Sequence, residues 1–471
     1  MKKLAITGFI SMILLMFANP LFASKIEVDD QFDFKLAMDF AFNNMIDSLV
    51  LVTDGGVYTT TDTVYFQVRH PLTIVAAPGL TNKPILTHSD ANGTQLEIFR
   101  VHNDFVVEGV IFDGGHPATH GMKYAIRVGE GPDGFPQPKV GLNVTIRNCD
   151  FVNFYEDKDL SKDGHGFYFL TGVDAGTIRI EDCSFANTGY EAIRISETEK
   201  YPIDRALDSL IVRNCTFTNI DAECIRFYAD LDTSTQDAYA LFENLTVNAS
   251  ATRMMFVKNN RGTIARNILV TNSRESGHGR DDYVLQIQEL GSVVSHIDTF
   301  NVNSFTAPEP GSGRISATKG GTVDSSTVYG YDPNYADPGN LDYTLANNSQ
   351  VCNKGFGGVA ISDQRWAGNC DAVGIDDDRF NTPVEFYLRQ NYPNPFNPGT
   401  VISYFLPKNG AVVLRVFDIT GAEVTTLVNE IQSAGEQQVT FDASGLTSGV
   451  YFYRLDVNGV TSETRKMMLL K

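Results

Sequence analysis

The chain has 471 residues and a formal net charge of −20 at pH 7. That length accommodates two or three domains, and so acidic a balance excludes a generic nucleic-acid binder, so no nucleic acid is expected as a partner. The six cysteines include no CxxC pair and no Cys/His cluster with zinc spacing, which argues against a structural zinc module.

The N-terminus reads Met1-Lys2-Lys3, then an apolar run from Leu4 to Phe17, then Leu21-Phe22-Ala23. A charged start, a short apolar core and a small residue describe a Sec-type signal peptide over residues 1–23. No cysteine follows the cleavage point, so a lipoprotein is not expected. No later apolar run is long enough to span a bilayer, so no transmembrane segment is expected after signal cleavage. From Asp30 to Ile46 apolar residues recur at helical spacing. The spacing predicts a short amphipathic helix covering the open N-terminal end of a stack. Leu49 to Tyr58 and Leu72 to Ala77 read as the first strands.

A repeat follows. Asn148-Cys149-Asp150-Phe151-Val152-Asn153 returns as Asp182-Cys183-Ser184-Phe185-Ala186-Asn187 and as Asn214-Cys215-Thr216-Phe217-Thr218-Asn219. Degraded copies stand at Gly109–Gly114, Asn244–Val247 and Asn267–Asn272. The period, about two dozen to forty residues with a β-rich unit, is that of a solenoid. Residues two apart share a strand face, so stacking puts Cys149, Cys183 and Cys215 on one another indoors as free thiols. Phe151, Phe185 and Phe217 stack likewise. Cys224 falls in another strand of the third coil. The flanking outward column reads Glu108, Arg147, Glu181, Arg213, Glu243, Arg266, Asp298. Its sign alternates, so a slip of one coil would set like charges together. Asn153, Asn187, Asn219 and Asn272 fit a bend at which side-chain amides bond to one another. Cys352 and Cys370 flank a Gly-rich loop, where an exported protein forms a disulfide.

The opening helix, the strand and turn Leu49–Tyr58, the Leu72–Leu86 stretch and the Cys/Phe/Asn coils resemble right-handed parallel β-helix proteins of the pectin-lyase-like superfamily. The resemblance runs over residues 24–375 and ends with Leu341–Leu345 and Gly374-Ile375. The coils are similar to bacterial β-helix proteins related to the chondroitinase B and alginate lyase group. Asp376 to Thr382 is acidic and polar, a linker expected over 376–385. Residues 386–471 carry Asn391-Tyr392-Pro393-Asn394-Pro395-Phe396-Asn397-Pro398, Val416–Gly421 and Leu446–Tyr451 and end on Lys466–Lys471. This segment resembles the C-terminal sorting domain of type IX secretion substrates. The resemblance implies an Ig-like sandwich of about seven strands, passage through the type IX secretion machinery, and a place that is secreted or on the outer cell surface. The expected fold is therefore all-β: a right-handed parallel β-helix followed by a small Ig-like β-sandwich.

A second outward column carries the candidate chemistry. Phe99-Arg100-Val101, Ile126-Arg127-Val128, Ile193-Arg194-Ile195 and Ile225-Arg226-Phe227 each set an arginine between two inward apolar residues. Tyr168 and Gln286 fit the same slot, and Arg314 is a candidate extension. Like charges stacked at strand spacing cost stability, and an extended polyanion such as an acidic polysaccharide would neutralise them by bidentate bonding. The competing reading is internal ion pairing, since Glu191 and Arg194 recur at the offset of Glu223 and Arg226, with Asp221 nearby. If the guanidinium groups of Arg127, Arg194 and Arg226 are each occupied by carboxylates of the protein itself, the groove reading fails.

Cleavage by β-elimination, the lyase activity the resemblance implies, needs charge neutralisation and a base. The assignment is Arg194 and Arg226 for the carboxylate, Lys258 as base, and Arg100, Arg127 and Tyr168 as substrate-binding groups. The related lyases hold calcium; Glu191 and Glu223 are the stacked candidates for it. They also follow their lysine with an Arg-His-Gly segment, whereas this chain has Ser276-Gly277-His278-Gly279-Arg280. A hydrolase would need clustered aspartates with a histidine, for which Asp281, Asp282 and His278, or His165 in the insertion from Tyr155 to Gly166, are the nearest groups. The alternative to an enzyme is a non-catalytic surface or adhesion module using the same arginine column.

Overall fold

A computed structural model describes residues 25–470 apart from 60–64, 89–96, 116–121, 130–138, 156–163, 170–172, 174, 198–206, 230–238, 251–253, 259–261, 273–283, 289–291, 303–314, 319–321, 369, 371–386, 389–390, 392–393, 407–409, 433–434 and 458–459. The expected signal peptide (1–23) and linker (376–385), with His278, Asp281, Asp282 and Arg314, lie outside the described residues. The chain divides into two compact units, Met1–Val373 and Gly374–Lys471.

The first unit is a parallel β-helix. A coil runs Leu142–Arg147, bends, continues as Asp150–Phe154, and turns again into His165–Phe169. The next repeats this as Ala175–Glu181, Ser184–Thr188 and Ile193–Glu197. The third strands of successive coils form a nine-stranded sheet, and neighbouring strands of the stack pair in parallel. The cap helix spans Phe34–Asn44, within the expected stretch. It starts where the Asp33 carboxylate accepts from the Lys35 and Leu36 N–H groups at 2.8 and 3.3 Å. It stops at Met45, which is left-handed. Its apolar face, Phe34, Ala37, Met38 and Ala41, is buried, with Phe34 edge-on to Phe66 at 4.9 Å.

Inside, the expected ladders form. Phe112, Phe151, Phe185 and Phe217 stack nearly parallel at 4.8, 4.6 and 5.2 Å. Cys149, Cys183 and Cys215 are buried free thiols, as is Cys224. Outside, Glu108, Arg147, Glu181, Arg213, Glu243 and Arg266 lie in register. Arg147 and Arg213 reach Glu181 at 3.2 and 2.6 Å, and Arg266 reaches Glu243 at 2.5 Å. Burial would raise the Glu181 carboxyl, but Arg213, Arg179 and Arg147 hold it below its ordinary value.

Asp298 does not continue this column. Ser295 pairs with Arg266, and Asp298 pairs with Leu269. The bend in that coil is made by His296 at φ 55°. With histidine in place of the recurring asparagine, the bend falls outside the repeat's pattern: the outward slot of this coil belongs to Ser295, and Asp298 stands past the bend.

The bends themselves are left-handed. Asn153, Asn187, Asn219, Asn272 and Asn301 all have positive φ. Asn187 Nδ2 donates to Asn153 Oδ1 at 3.3 Å, and Asn219 Nδ2 to Asn187 Oδ1 at 2.7 Å. Ala249 stands in the slot between Asn219 and Asn272, at φ 52°. Asn272 bonds instead to Asn248, 2.9 Å away. A second ladder stands at the other bend. Asn214 donates to Asp182, Asn244 to Asn214 and Asn267 to Asn244, at 3.0, 3.0 and 2.9 Å.

The end of the unit is not one more coil. Val328–Tyr329 still pairs in parallel with Ile297 and Asp298; from Tyr331 on, the described residues up to Cys370 lie along the outside of the stack, over Thr216, Thr246, Leu269 and Asp298. Asp363, Trp366 and Tyr343 bond to Thr216, Thr216 and Thr218 at 2.7, 2.6 and 2.8 Å. Arg365 grips the carbonyls of Asp182 and Cys183 at 2.8 and 2.7 Å. Leu345, Val351, Ala360 and Ile361 bury Leu269 in a separate apolar cluster. The Cys352–Cys370 disulfide closes this strap. Asp298 is fully buried beneath it, with Oδ1 accepting from Tyr331 N at 2.9 Å and Oδ2 without a hydrogen-bond partner. Burial pushes this carboxyl up to about 7.

The second unit is a sandwich of two antiparallel sheets, three- and four-stranded. Alternation along Gly410–Phe417 buries Val412, Leu414 and Val416 against Ile402, Tyr404, Tyr453 and Leu455. Gly421 makes its tight turn at φ 84°, where the Asp418 carboxylate accepts from the N–H groups of Thr420 and Ala422.

Two outcomes are expected from this packing. Asn187→Ala loses the ladder bonds and keeps a side chain at positive φ, costing about 2–4 kcal/mol, whereas Asn187→Gly costs about half as much; urea unfolding of the β-helix unit measures both. Asp298 binds its proton more tightly in the folded state, so its share of stability is present at low pH and is lost as pH rises from 3.8 towards about 7. Asp298→Asn is expected to abolish that loss, on the order of 2–4 kcal/mol above neutrality, read through the fluorescence of the single tryptophan, Trp366 in the strap.

Candidate functional site

The arginine column exists. Along the nine-stranded sheet Gln67, Arg100, Arg127, Tyr168, Arg194, Arg226, Phe256, Gln286 and Ser316 pair in sequence. Apolar residues on either side point inward along the column from Gln67 to Gln286, so these side chains are held on the outer face. Phe256, not Lys258, takes the slot beside Arg226; Lys258 pairs with Tyr228. Lys258 therefore faces outward on the strand next to Arg226, displaced by two residues.

Beside this column stands a second one, three residues earlier. Glu97, Tyr124 and His165 are aligned by register, and Glu191 and Glu223 precede the next two strands at the same offset. All five are buried. They stand at or just before the start of each strand of this sheet.

The two columns meet as ion pairs. Arg100 clamps Glu97, with Nε to Oε2 at 3.1 Å and Nη2 to Oε1, and its guanidinium lies over the Tyr65 ring at 4.0 Å. Arg127 approaches the same carboxylate at 3.9 Å. Arg194 Nη1 donates to Glu191 Oε2 at 3.3 Å, and Arg226 Nη1 to Glu191 Oε1 at 3.1 Å. His165 Nδ1 donates to the Glu191 carbonyl at 2.8 Å and lies 3.6 Å from its carboxylate. Burial, with the Glu223 carboxylate nearby, pushes Glu191 up to about 7 despite Arg194 and Arg226. Burial also raises Glu97, against the pull of Arg100 and Arg127.

Between the two ion-pair groups lies an aromatic patch. Tyr124 stacks on His165 at 5.5 Å and packs against Tyr168 at 5.0 Å. Arg127 lies over Tyr124, and Arg194 over Tyr168 and Tyr190, at 5.3, 5.5 and 5.8 Å.

Each expected site residue can now be placed. Arg100 is buried and holds Glu97 rather than facing solvent. The side chains of Arg127, Arg194 and Arg226 keep 22, 22 and 26% of their surface exposed. Arg194 and Arg226 are hydrogen-bonded to Glu191 and Arg127 comes within 3.9 Å of Glu97, so internal pairing holds for all three and the expected groove of unneutralised arginines does not stand. Both oxygens of Glu191, one of the two calcium candidates, accept from guanidiniums, and calcium takes about six to eight oxygens, more than Glu191 and Glu223 offer. The residues that sequence reasoning missed are Glu97 and the aromatic pair Tyr124 and Tyr190. The Glu-x-x-Arg offset at Glu97–Arg100 was available to find the first.

Residues 390–470 match the family model of the secretion system C-terminal sorting domain. The chain is thus marked for the type IX machinery and for the outer cell surface or release. No helix among the described residues is long and apolar enough to cross a membrane. No curated protein matches the chain. Among solved structures it is similar to the mannuronan C-5 epimerase AlgE4 A-module of Azotobacter vinelandii, at 12% identity and a TM-score of 0.28, over 64% of this chain and 88% of that one. At that distance the likeness transfers neither residues nor activity.

Removing the shared carboxylate tests the pairing. Glu191→Ala leaves two guanidiniums without it and is expected to cost about 3 kcal/mol. Glu191→Gln keeps the shape and one acceptor and costs about 1 kcal/mol. Thermal unfolding of the two variants against wild type measures the difference.

Proposed function

We propose that this exported β-helix is a surface module whose arginine and tyrosine face, Arg127, Tyr168, Arg194 and Arg226, binds an acidic polysaccharide. The carrying observation is placement: Arg127, Arg194 and Arg226 reach buried glutamates from the outer face and keep about a quarter or a fifth of their side-chain surface exposed, 22, 22 and 26%. The exposed edge of a guanidinium is a planar donor surface suited to a carboxylate. Tyr168 and Tyr190 lie beside them as flat surfaces on which a sugar ring can rest. Stacked coils repeat these groups at about 4.8 Å, an array suited to a chain molecule rather than a small ligand. Binding without cleavage is the primary reading, because the arginines are already neutralised from within.

Lyase chemistry is the second reading, supported by one feature. Lys258 shares the outward face with Arg226, at a diagonal of about 8 Å, so both could reach one sugar unit. Lys258 would be the base, with Arg194 and Arg226 on the carboxylate. No step is assigned to calcium.

The mature full-length chain, run through gels cast with alginate, polygalacturonate or chondroitin sulfate, is expected to be retarded by these and not by neutral dextran. High salt is expected to abolish the effect. Arg127→Gln and Arg194→Gln are each expected to weaken binding about five- to tenfold. Equal mobility in every gel would overturn the proposal. A rise in ultraviolet absorbance from unsaturated uronate, lost in Lys258→Ala, would replace binding by cleavage.

A further inference from the structure

Asp298 lies on the outer side of the stack, but the strap buries it completely. Its Oδ1 accepts the Tyr331 N–H at 2.9 Å, and its Oδ2 has no hydrogen-bond partner among the described residues. A carboxylate so placed is costly once it ionises. The cover over it is separate from the core of the coils. Ile297, the preceding residue, belongs to that core, whereas Leu269, which pairs with Asp298 one coil back, is buried in the cluster beneath the strap. Lifting the cover would therefore hydrate the carboxylate without opening the stack. We propose that the Tyr331–Asp337 arm of the strap is a pH-released cover, held down over Asp298 in acid and lifted towards neutral pH while the coils beneath stay folded.

The groups around Asp298 set the direction. From the strap come Tyr331, Asp332, whose charge disfavours a second carboxylate nearby, and Tyr335, whose phenol burial pushes well above its ordinary value. The following strand brings Tyr329, and the preceding coil brings the uncharged Leu269 and Thr271. On its own strand stands His296, which Asp324 and Arg266 also face. Burial holds that imidazole below its ordinary value, so its contribution is lost as pH falls, the opposite sense to the release. Burial pushes the Asp298 carboxyl up to about 7, from 3.8 when hydrated. Closure is thus fully favoured below 3.8 and weakens by up to about tenfold per pH unit until about 7. Above that both states are ionised and the balance no longer changes. The rest of the strap is fastened by groups that do not titrate in this range. Phe356 N donates to Asn267 Oδ1 and Trp366 Nε1 to Thr216 Oγ1, each at 2.6 Å. The arm, by contrast, meets the stack at the group that loses its proton, and at Thr271 through the Tyr335 hydroxyl at 3.4 Å.

The test is hydrogen–deuterium exchange of the mature full-length chain, read by mass spectrometry and corrected for the intrinsic pH dependence of amide exchange. Protection of the Tyr331–Asp337 arm is expected to fall by up to about tenfold per unit from about pH 4 to about pH 7 and to level off above. Gly262–Thr271 and Val293–Phe300, the strands beneath, are expected to keep their protection throughout. Asp298→Asn is expected to hold the arm's protection constant across the same range. The wild-type comparison of arm and coils needs no variant to fold. An arm whose protection does not change with pH, or one that loses it together with the coils, would overturn the release. So would an Asp298→Asn arm that keeps the wild-type slope.

Discussion

The interaction on which the β-helix depends is a hydrogen bond between asparagines one coil apart. Each coil must turn sharply at two bends, and at both the chain adopts positive φ, mostly without glycine. A side chain in that region costs about 1–2 kcal/mol, least for Asn and Asp. Here the residue at the bend donates its amide to the one stacked before it, so the strained position is also the bonded one. The bonds run in a fixed direction: Asn219 to Asn187 to Asn153 to Asp113, and Asn267 to Asn244 to Asn214 to Asp182. An aspartate, which only accepts when ionised, closes each chain at its acceptor end. Such a series polarises cooperatively and fixes the phase of every strand that follows. Once the bends are in register, the thiols and phenyl rings two residues apart have only the interior to occupy.

The same geometry decides what was legible in the sequence. Strand alternation has a period of two, so the inward Cys and Phe and the outward charges could be read from the residues alone. The arginine column was readable for that reason: each arginine is bracketed by apolar neighbours. Its buried partners were not assembled as a set. Three residues before Arg100 or Arg194 the chain is at a corner, where period two no longer tells inside from outside. Glu191 and Glu223 could be noted by offset, but their burial could not. Asp298 was misassigned because His296, in place of the recurring asparagine, makes its bend. The strap was illegible for a different reason. Its contacts come from Tyr343, Asp363, Arg365 and Trp366, which follow no period and meet partners up to 183 residues away.

Lys258 shows how fine the register must be. The sequence placed it one coil beyond Arg226, and that is where it lies. Pairing assigns the Arg226 slot to Phe256 and sets the lysine two residues further on. Near-correct placement by coil therefore leaves a catalytic role dependent on side-chain reach rather than on alignment. The Cys352–Cys370 disulfide follows from the chain's export through an oxidising compartment. The four free cysteines are consistent with that compartment because all are buried.

Net charge and local charge act at different ranges here. A protein at −20 repels a polyanion at a distance, yet at physiological ionic strength that field is screened within about 8 Å. A ligand of the proposed kind would therefore arrive without electrostatic steering and gain its affinity on contact. In that short range the relevant charges are those of the arginines and the glutamates beneath them. Burying Glu97 and Glu191 under their guanidiniums keeps the arginines ordered on an otherwise repulsive stack, where free arginines at strand spacing would push apart. The arrangement that looks like self-neutralisation is thus also what holds the cationic face in place. On the binding reading proposed above, a polyanion would meet the exposed edges of Arg127, Arg194 and Arg226 while the buried carboxylates hold those side chains in place.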